Sequence, residues 1–105
     1  MDERLTKPPI VGLTTILCAS PNQVSSRVGE EAAILDLDSS VYFGLDSVGA
    51  RVFELLQQPT RVDTVLGQVV EEYEVDEDTA RGDLLALLGD LIDNRLVEVR
   101  GSDAP

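Results

Sequence analysis

Few side chains of this chain could carry out chemistry, because it has a single cysteine, Cys18, and no histidine. The lack of histidine excludes a Ser-His-Asp triad, a histidine-ligated zinc site and acid–base catalysis by histidine. A lone cysteine forms no intramolecular disulfide, and without histidine it is a poor candidate for a papain-like nucleophile. We therefore expect no catalytic residue, no metal site and no cofactor, and we interpret Cys18 as a small apolar residue.

One serine lies in a context that is typical of covalent modification. Asp46-Ser47-Val48 stands at the start of a predicted helix and is similar to the Asp-Ser-Leu of acyl and peptidyl carrier proteins, where the serine takes a phosphopantetheine arm. Carrier proteins are helix bundles with a loop before this serine, whereas the residues before Ser47 have the pattern of a strand. A carrier protein modified at Ser47 is the alternative hypothesis, which intact mass after incubation with a phosphopantetheinyl transferase would test.

The charge of the chain limits its partners. The formal net charge is −12, and residues 71–93 contain many acidic side chains but only one basic side chain, Arg81. Such a surface either only keeps the protein soluble or forms an acidic face that selects a basic partner. It disfavours nucleic acid, whose binding depends on Lys and Arg contacts to phosphate, and with it a transcription factor that reads DNA with a helix.

An apolar stretch near the N-terminus, residues 10–17, raises the question of export. The stretch is short, follows Pro8-Pro9 and an acidic start, and has Leu17 where a lipoprotein signal needs a small residue before the cysteine. No segment is long enough to span a bilayer. We therefore expect no signal peptide and a cytoplasmic protein that does not contact a membrane.

Residues 40–56 change abruptly from a strand pattern to a helix pattern. Val41, Phe43 and Leu45 alternate with other residues, as in a half-buried strand. Asp46 or Ser47 can cap the following helix by accepting a hydrogen bond from a free N–H. The apolar residues of that helix recur at three- and four-residue spacing, namely Val48, Val52, Leu55 and Leu56. A strand this close to a helix leaves little loop for an enzyme site, but it offers a sheet edge that can bind peptide.

The whole pattern predicts a single α+β domain, in which a three-stranded antiparallel sheet is followed by three helices. The strands are predicted at residues 23–28, 32–37 and 40–45, because tight turns separate them. The helices are predicted at residues 47–57, 60–73 and 76–94, with Thr60 and Asp63 resembling a capping box and a short closing strand at residues 96–99.

The termini are predicted to lie outside this domain. We interpret residues 1–20 as a partly ordered N-terminal arm, residues 21–100 as the domain and residues 101–105 as a tail. Within the arm, residues 14–18 either form a short edge strand or act as an apolar tether.

The third predicted helix has a wide apolar surface. Leu85 and Ile92 lie to one side of its core stripe and form a flank, and Arg81 stands between this flank and the stripe. With the flank included, the apolar arc covers roughly 160°, which is wider than the ~100° that a core-facing helix needs. The stripe consists of Ala80, Leu84, Leu87, Leu88 and Leu91. The flank either packs against the first helix or a tail, or lines a groove beside the neighbouring strand in which a peptide could lie.

The order of elements and the central motif together resemble the PqqD-like family, whose members are also called precursor-peptide recognition elements. The family pattern is an aromatic pair, Leu-Asn, a small residue, Gly-Ala and an apolar helix that ends in Leu-Leu. Here it reads Tyr42-Phe43, Leu45-Asp46, Val48-Gly49-Ala50, Val52-Phe53 and Leu55-Leu56. The match covers about residues 23–99, including residues 71–88. Asp46 stands where Asn is commoner, and the first strand and the arm match poorly.

The resemblance implies a winged helix-turn-helix fold and a non-catalytic role. The chain is most similar to the stand-alone leader-binding protein (B1 type) of lasso-peptide biosynthesis. In that family the domain binds the leader segment of a ribosomally synthesised precursor peptide (a RiPP precursor) and presents it to a separate leader peptidase of the cysteine-protease type and to a cyclase. The leader adds as a strand to the third strand and packs against the third helix.

This binding mode predicts two groups of site residues. The first supplies backbone pairing from the third strand: Val41, Tyr42, Phe43 and Gly44. The second group, chosen from the helical pattern, forms the groove wall: Arg81, Leu84, Leu85, Leu88 and Ile92. Asp78 is expected to meet a basic residue of the leader.

Overall fold

The computed structural model describes residues 11–102, which form two three-stranded antiparallel sheets and three helices. The strands are β1 (Thr15–Ala19), β2 (Gln23–Val28), β3 (Glu31–Asp36), β4 (Tyr42–Leu45), β5 (Thr60–Arg61) and β6 (Val97–Ser102). The helices are α1 (Ser47–Leu55), α2 (Val62–Tyr73) and α3 (Glu77–Asp93). The predicted α+β fold with three consecutive antiparallel strands and three helices is confirmed. The tail beyond residue 102 and the first ten residues of the arm lie outside the described part of the chain.

Strands β2, β3 and β4 form the predicted meander in that order. Val28 pairs with Glu31 across a two-residue loop, and Gly29 in that loop has a φ of 65°, which an L side chain rarely adopts. Along β3 and β4, Ile34 lies opposite Phe43 and Ala32 opposite Leu45. These four side chains share the face of the sheet that packs on the helices, as the alternating pattern predicts.

The sequence predicted the closing strand at residues 96–99 and left open an edge strand at residues 14–18, but it did not reveal the second sheet that β1, β5 and β6 form together. Strand β1 is its central strand and pairs with β5 on one side and β6 on the other. Residues 15–19, which the sequence assigned to an N-terminal arm, are therefore part of the fold. Leu17 is fully buried and Cys18 is 6% exposed, so this strand contributes to the core.

The helix starts show which capping residues act. Asp46 caps α1, because its Oδ1 accepts a hydrogen bond from the Gly49 N–H at 2.8 Å. Asp76 caps α3 in the same way, and its Oδ2 accepts from the Thr79 N–H at 3.0 Å. The capping box expected at Thr60 is wrong. The Thr60 hydroxyl donates instead to the carbonyl oxygens of Leu55 and Gln58, and α2 begins after β5 at Val62.

The core lies between the helices and the inner faces of the two sheets. Its fully buried side chains are aliphatic: Leu17, Ile34, Leu56, Leu88, Leu91, Leu96, Val52, Val62 and Val65. Among residues 11–102, no helix is long and apolar enough to cross a membrane.

An ion-pair network on the surface joins α1 to α2. The Arg51 Nη2 donates to Glu72 Oε2 at 2.9 Å and its Nη1 donates to Glu54 Oε1 at 2.9 Å. The hydrogen bonds from Arg51 hold the pKa of Glu72 below its ordinary value of 4.5. Because this carboxyl is more acidic in the folded chain, its contribution to stability is present above pH 4.5 and is lost as the pH falls through the folded pKa.

We therefore expect Glu72→Gln to reduce stability at neutral pH and to flatten the fall of stability in acid. Urea unfolding midpoints of the two proteins should differ most at about pH 7 and converge as the pH falls below the folded pKa of Glu72. Glu71→Gln is the matched control, since it removes the same charge from a neighbouring exposed residue without a hydrogen bond. A gap between wild type and Glu72→Gln that stays constant with pH would contradict the expected role of the carboxylate.

Candidate functional site

Strand β4 has one unpaired edge. It pairs with β3 on one side, and no strand of residues 11–102 pairs with its other side. The Asp36 N–H donates to the Val41 carbonyl oxygen at 3.0 Å, and backbone groups alternate in direction along an antiparallel strand. The C=O of Val41 and both backbone groups of Phe43 therefore point to β3, whereas the Val41 N–H donates to the Ser39 hydroxyl at 3.3 Å. The N–H and C=O groups of Tyr42 and Gly44 point to the open edge. Of the four residues predicted for backbone pairing, these two carry the free groups.

The open edge is accessible. Tyr42 is 71% exposed and Gly44 is exposed, and both face away from the core. A Cβ built on Gly44 would meet no atom within 4 Å, so the outer face of the strand is uncovered at this point. Unpaired strand edges readily accept another chain, so this edge is competent to take up a peptide.

A first cavity, of about 350 Å³, lies where the start of α1, the end of α2 and the first half of α3 meet, at the carboxyl end of β4. We call it the helix cavity. Most of its wall is apolar, and Asp46, Thr79 and Asp83 supply the polar groups. The apolar wall residues are Val48, Val52, Val69, Tyr73, Val75, Ala80, Leu84 and Leu87.

A second cavity, of about 450 Å³, lies at the amino end of β4, between the turn from β3 to β4 and the end of α3. We call it the turn cavity. Val41 and Phe43 form its wall on the strand side. The polar lining comes from Asn22, Asp36, Asp38, Ser39, Asp93, Asn94 and Arg95. The two cavities thus lie at the two ends of β4, and α3 contributes to both.

The carboxylates at these cavities are only partly engaged. Asp46 is used as the α1 cap, and Asp36 Oδ1 accepts from the Asp38 N–H at 2.9 Å. The side chains of Asp38, Asp83 and Asp93 form no hydrogen bond or ion pair with the described chain. The lining is therefore acidic, and uncompensated charge faces both ends of the strand.

The structure corrects part of the predicted groove wall. Leu88 is completely buried and Leu84 is 4% exposed, so both belong to the core, although Leu84 also reaches the wall of the helix cavity. Leu88 therefore presents no surface to a peptide in this structure. The helical pattern had also placed Leu84 and Leu88 in the core stripe, and the structure agrees with that prediction.

The remaining predicted helix residues lie on the other flank of α3. Leu85 and Ile92 are half-buried against the core, and Arg81 bonds to the exposed Asp78 at 3.1 Å. None of these four residues lines the helix cavity or the turn cavity. The opposite flank of α3 forms the groove wall beside β4. This flank carries the half-buried Leu87, which lies about 160° around the helix from Leu85 at 100° per residue.

Several residues of this site were missed from the sequence. They are Asp83, Leu87, Asp93, Asn94 and Arg95, together with Val48 and Tyr73 from the other helices. Leu87 had the clearest signal, since it stands at the margin of the core stripe where a residue is half in the core and half beside it.

The fold removes the basis of the carrier hypothesis. Ser47 is the first residue of α1 and follows β4 after one residue, in a domain with two sheets. The loop and the helix bundle that present a carrier serine are both absent from the described chain.

Solved structures similar to this chain share its fold. TbiB1 in complex with the TbiA(beta) leader peptide is 34% identical, with a TM-score of 0.72 over 77% of this chain and 94% of that one. A lasso peptide synthetase B1 complexed with its leader peptide is 23% identical, with a TM-score of 0.69 over 78% and 96%. The PqqD truncation of Methylobacterium extorquens PqqCD, a stand-alone RiPP recognition element, is 17% identical, with a TM-score of 0.70 over 84% and 94%.

The sequence comparisons agree with the structural ones. Curated proteins give no match. A family profile described as coenzyme PQQ synthesis protein D (PqqD) matches residues 31–97, which is most of the described chain and includes β3, β4 and all three helices. This chain therefore belongs to the PqqD family.

Proposed function

We propose that this chain is a non-catalytic adaptor that binds the leader segment of a ribosomally synthesised precursor peptide by strand addition to β4. The observation that carries the proposal is the open edge of β4, where the backbone groups of Tyr42 and Gly44 are unpaired between two cavities. Strand addition gives affinity through such groups and specificity through side-chain pockets. The 34% identical TbiB1, which was solved with a leader peptide, supports the same ligand class here.

The adaptor role also follows from the chemistry that the chain can offer. It contains no histidine, and its one cysteine is buried in β1. Cleavage and ring closure of the precursor then require other proteins. We propose a separate leader peptidase of the cysteine-protease type and a cyclase as the partners that receive the bound leader in a lasso-peptide pathway.

The test is residue-resolved amide exchange of the chain with and without a leader peptide. The first probe is the TbiA(beta) leader, and the second is the leader of any precursor whose gene is found next to the gene of this chain. The amides of Tyr42 and Gly44 should exchange roughly tenfold more slowly or better at saturating leader, because they become hydrogen-bonded. The amide of Phe43 should change little, since it already pairs with β3.

Strand β2 provides an internal control for this experiment. It is the other edge of the same sheet, and the register from the Val28–Glu31 pair leaves the Ser25 N–H on its open side. Protection of Ser25 instead of Tyr42 and Gly44 would place the leader on the wrong edge. Binding without protection at either edge would exclude strand addition.

A further inference from the structure

The two ends of the proposed binding edge have different chemistry. The helix cavity is bordered by three helices and is walled by aliphatic groups from each, such as Val48, Val69 and Leu87. A large aliphatic or aromatic side chain would gain most there, because burial removes its apolar surface from water. Asp83 lies at this cavity, so a carboxylate on the ligand would be repelled.

The turn cavity has the opposite character. Asp36, Asp38 and Asp93 line it against one cation, Arg95. Arg95 does not neutralise them, since no carboxylate of the described chain lies within 4.0 Å of its guanidinium, whereas every other described arginine has such a partner. The cavity thus presents uncompensated negative charge in a protein of net charge −12, which complements a cationic side chain.

The length of β4 fixes the spacing between the two anchors. On this strand Val41 and Phe43 line the turn cavity, and Asp46 is the first residue to line the helix cavity. These positions are three to five residues apart, so we take a spacing of about four residues, or roughly 13 Å along a strand. Side chains of an added strand alternate between faces, so only residues an even number apart can both point to α3. Four residues satisfies both conditions.

From these observations we infer that the leader selected by this chain carries a large apolar residue and, four residues from it, a lysine or arginine on the same face. The inference rests on the proposed strand addition and adds the recognition pattern. The apolar residue fills the helix cavity, and the cation meets Asp38 and Asp93.

Designed peptides test the pattern. The probes are fluorescein-labelled strand-forming peptides with Leu and Arg four residues apart, in both chain orders. The same peptides with Glu in place of Arg, or with a spacing of three, are the comparison. At low salt one Leu/Arg order should bind roughly tenfold more tightly than its Glu and odd-spaced counterparts, and the advantage should shrink as salt is added.

Variants of the chain locate the charge selectivity. Asp38→Asn/Asp93→Asn should abolish the preference for Arg over Glu, whereas Glu71→Gln/Glu77→Gln removes the same net charge away from the cavities and should preserve it. Equal binding of the Arg and Glu peptides, with Tyr42 and Gly44 protected from exchange by both, would overturn the inference but leave the proposed function intact. Failure of every designed peptide to bind would also overturn it, while protection by the natural leader reports separately on strand addition.

Discussion

Gly44→Pro is expected to weaken leader binding at least tenfold while preserving the fold. Proline removes the N–H that points to the open edge, and its ring occupies the space into which an added strand must move. One hydrogen bond contributes about 0.5–1.5 kcal/mol and the steric conflict adds to it, so a loss of about 1.4 kcal/mol or more corresponds to tenfold in affinity.

The fold should tolerate this proline because of where it lies. The Gly44 N–H makes no ladder bond, and an edge strand accepts proline at such positions. Phe43, the preceding residue, is already in a strand, which is the conformation that proline favours before it. A thermal unfolding curve close to that of the wild type would show that the binding loss is local.

Two control variants show whether the Gly44→Pro effect comes from the lost N–H at the open edge of β4. Gly44→Ala keeps the N–H and adds a methyl group into open space, so affinity should change by about 0.5 kcal/mol or less. Ser25→Pro removes the equivalent free donor from β2 and should leave leader affinity unchanged. Leader affinity is measured by fluorescence anisotropy for all three. If Ser25→Pro weakens binding and Gly44→Pro does not, β2 and not β4 holds the leader.

The elements that could be predicted from the sequence are those whose partners are close in the chain. The meander of β2, β3 and β4 follows from alternation and tight turns, and α1 follows β4 through the Asp46 cap. The second sheet could not be predicted in this way. Strand β1 pairs with Thr60–Arg61 and with residues 97–102, so its partners are about forty and eighty residues away. A strand of two residues, such as β5, is too short to show a hydrophobic period in the sequence.

The site was predicted only in part, because some of its features depend on contacts between residues that are far apart in the chain. The open edge of β4 depends on local pairing, and it lies where the sequence placed it. The wall of the groove depends on which flank of α3 turns toward β4, and a helical wheel is symmetric in this respect. Leu85 and Leu87 flank the same core stripe, and only the packing of α1 and α2 against α3 places Leu87 in the helix cavity.

Leu88→Ala is expected to destabilise the fold by about 2–5 kcal/mol, the range for truncating a fully buried leucine. Leu88 is 0% exposed and belongs to the central core cluster together with Leu84 and Leu91. The lost side chain would leave a cavity that the surrounding aliphatic residues fill only in part. Small domains have about 5–15 kcal/mol of stability in total, so this variant should unfold at a much lower urea concentration.

Leu85→Ala is the matched variant, because it removes the same atoms from the same helix at a half-buried position. Its cost should be about half or less of that of Leu88→Ala, since partial exposure reduces both the transfer term and the residual cavity. Urea unfolding of both variants at one pH gives the comparison. Equal destabilisation would mean that Leu85 is as deeply packed as Leu88. A stable Leu88→Ala with weakened leader binding would return Leu88 to the groove wall that the helical pattern first suggested.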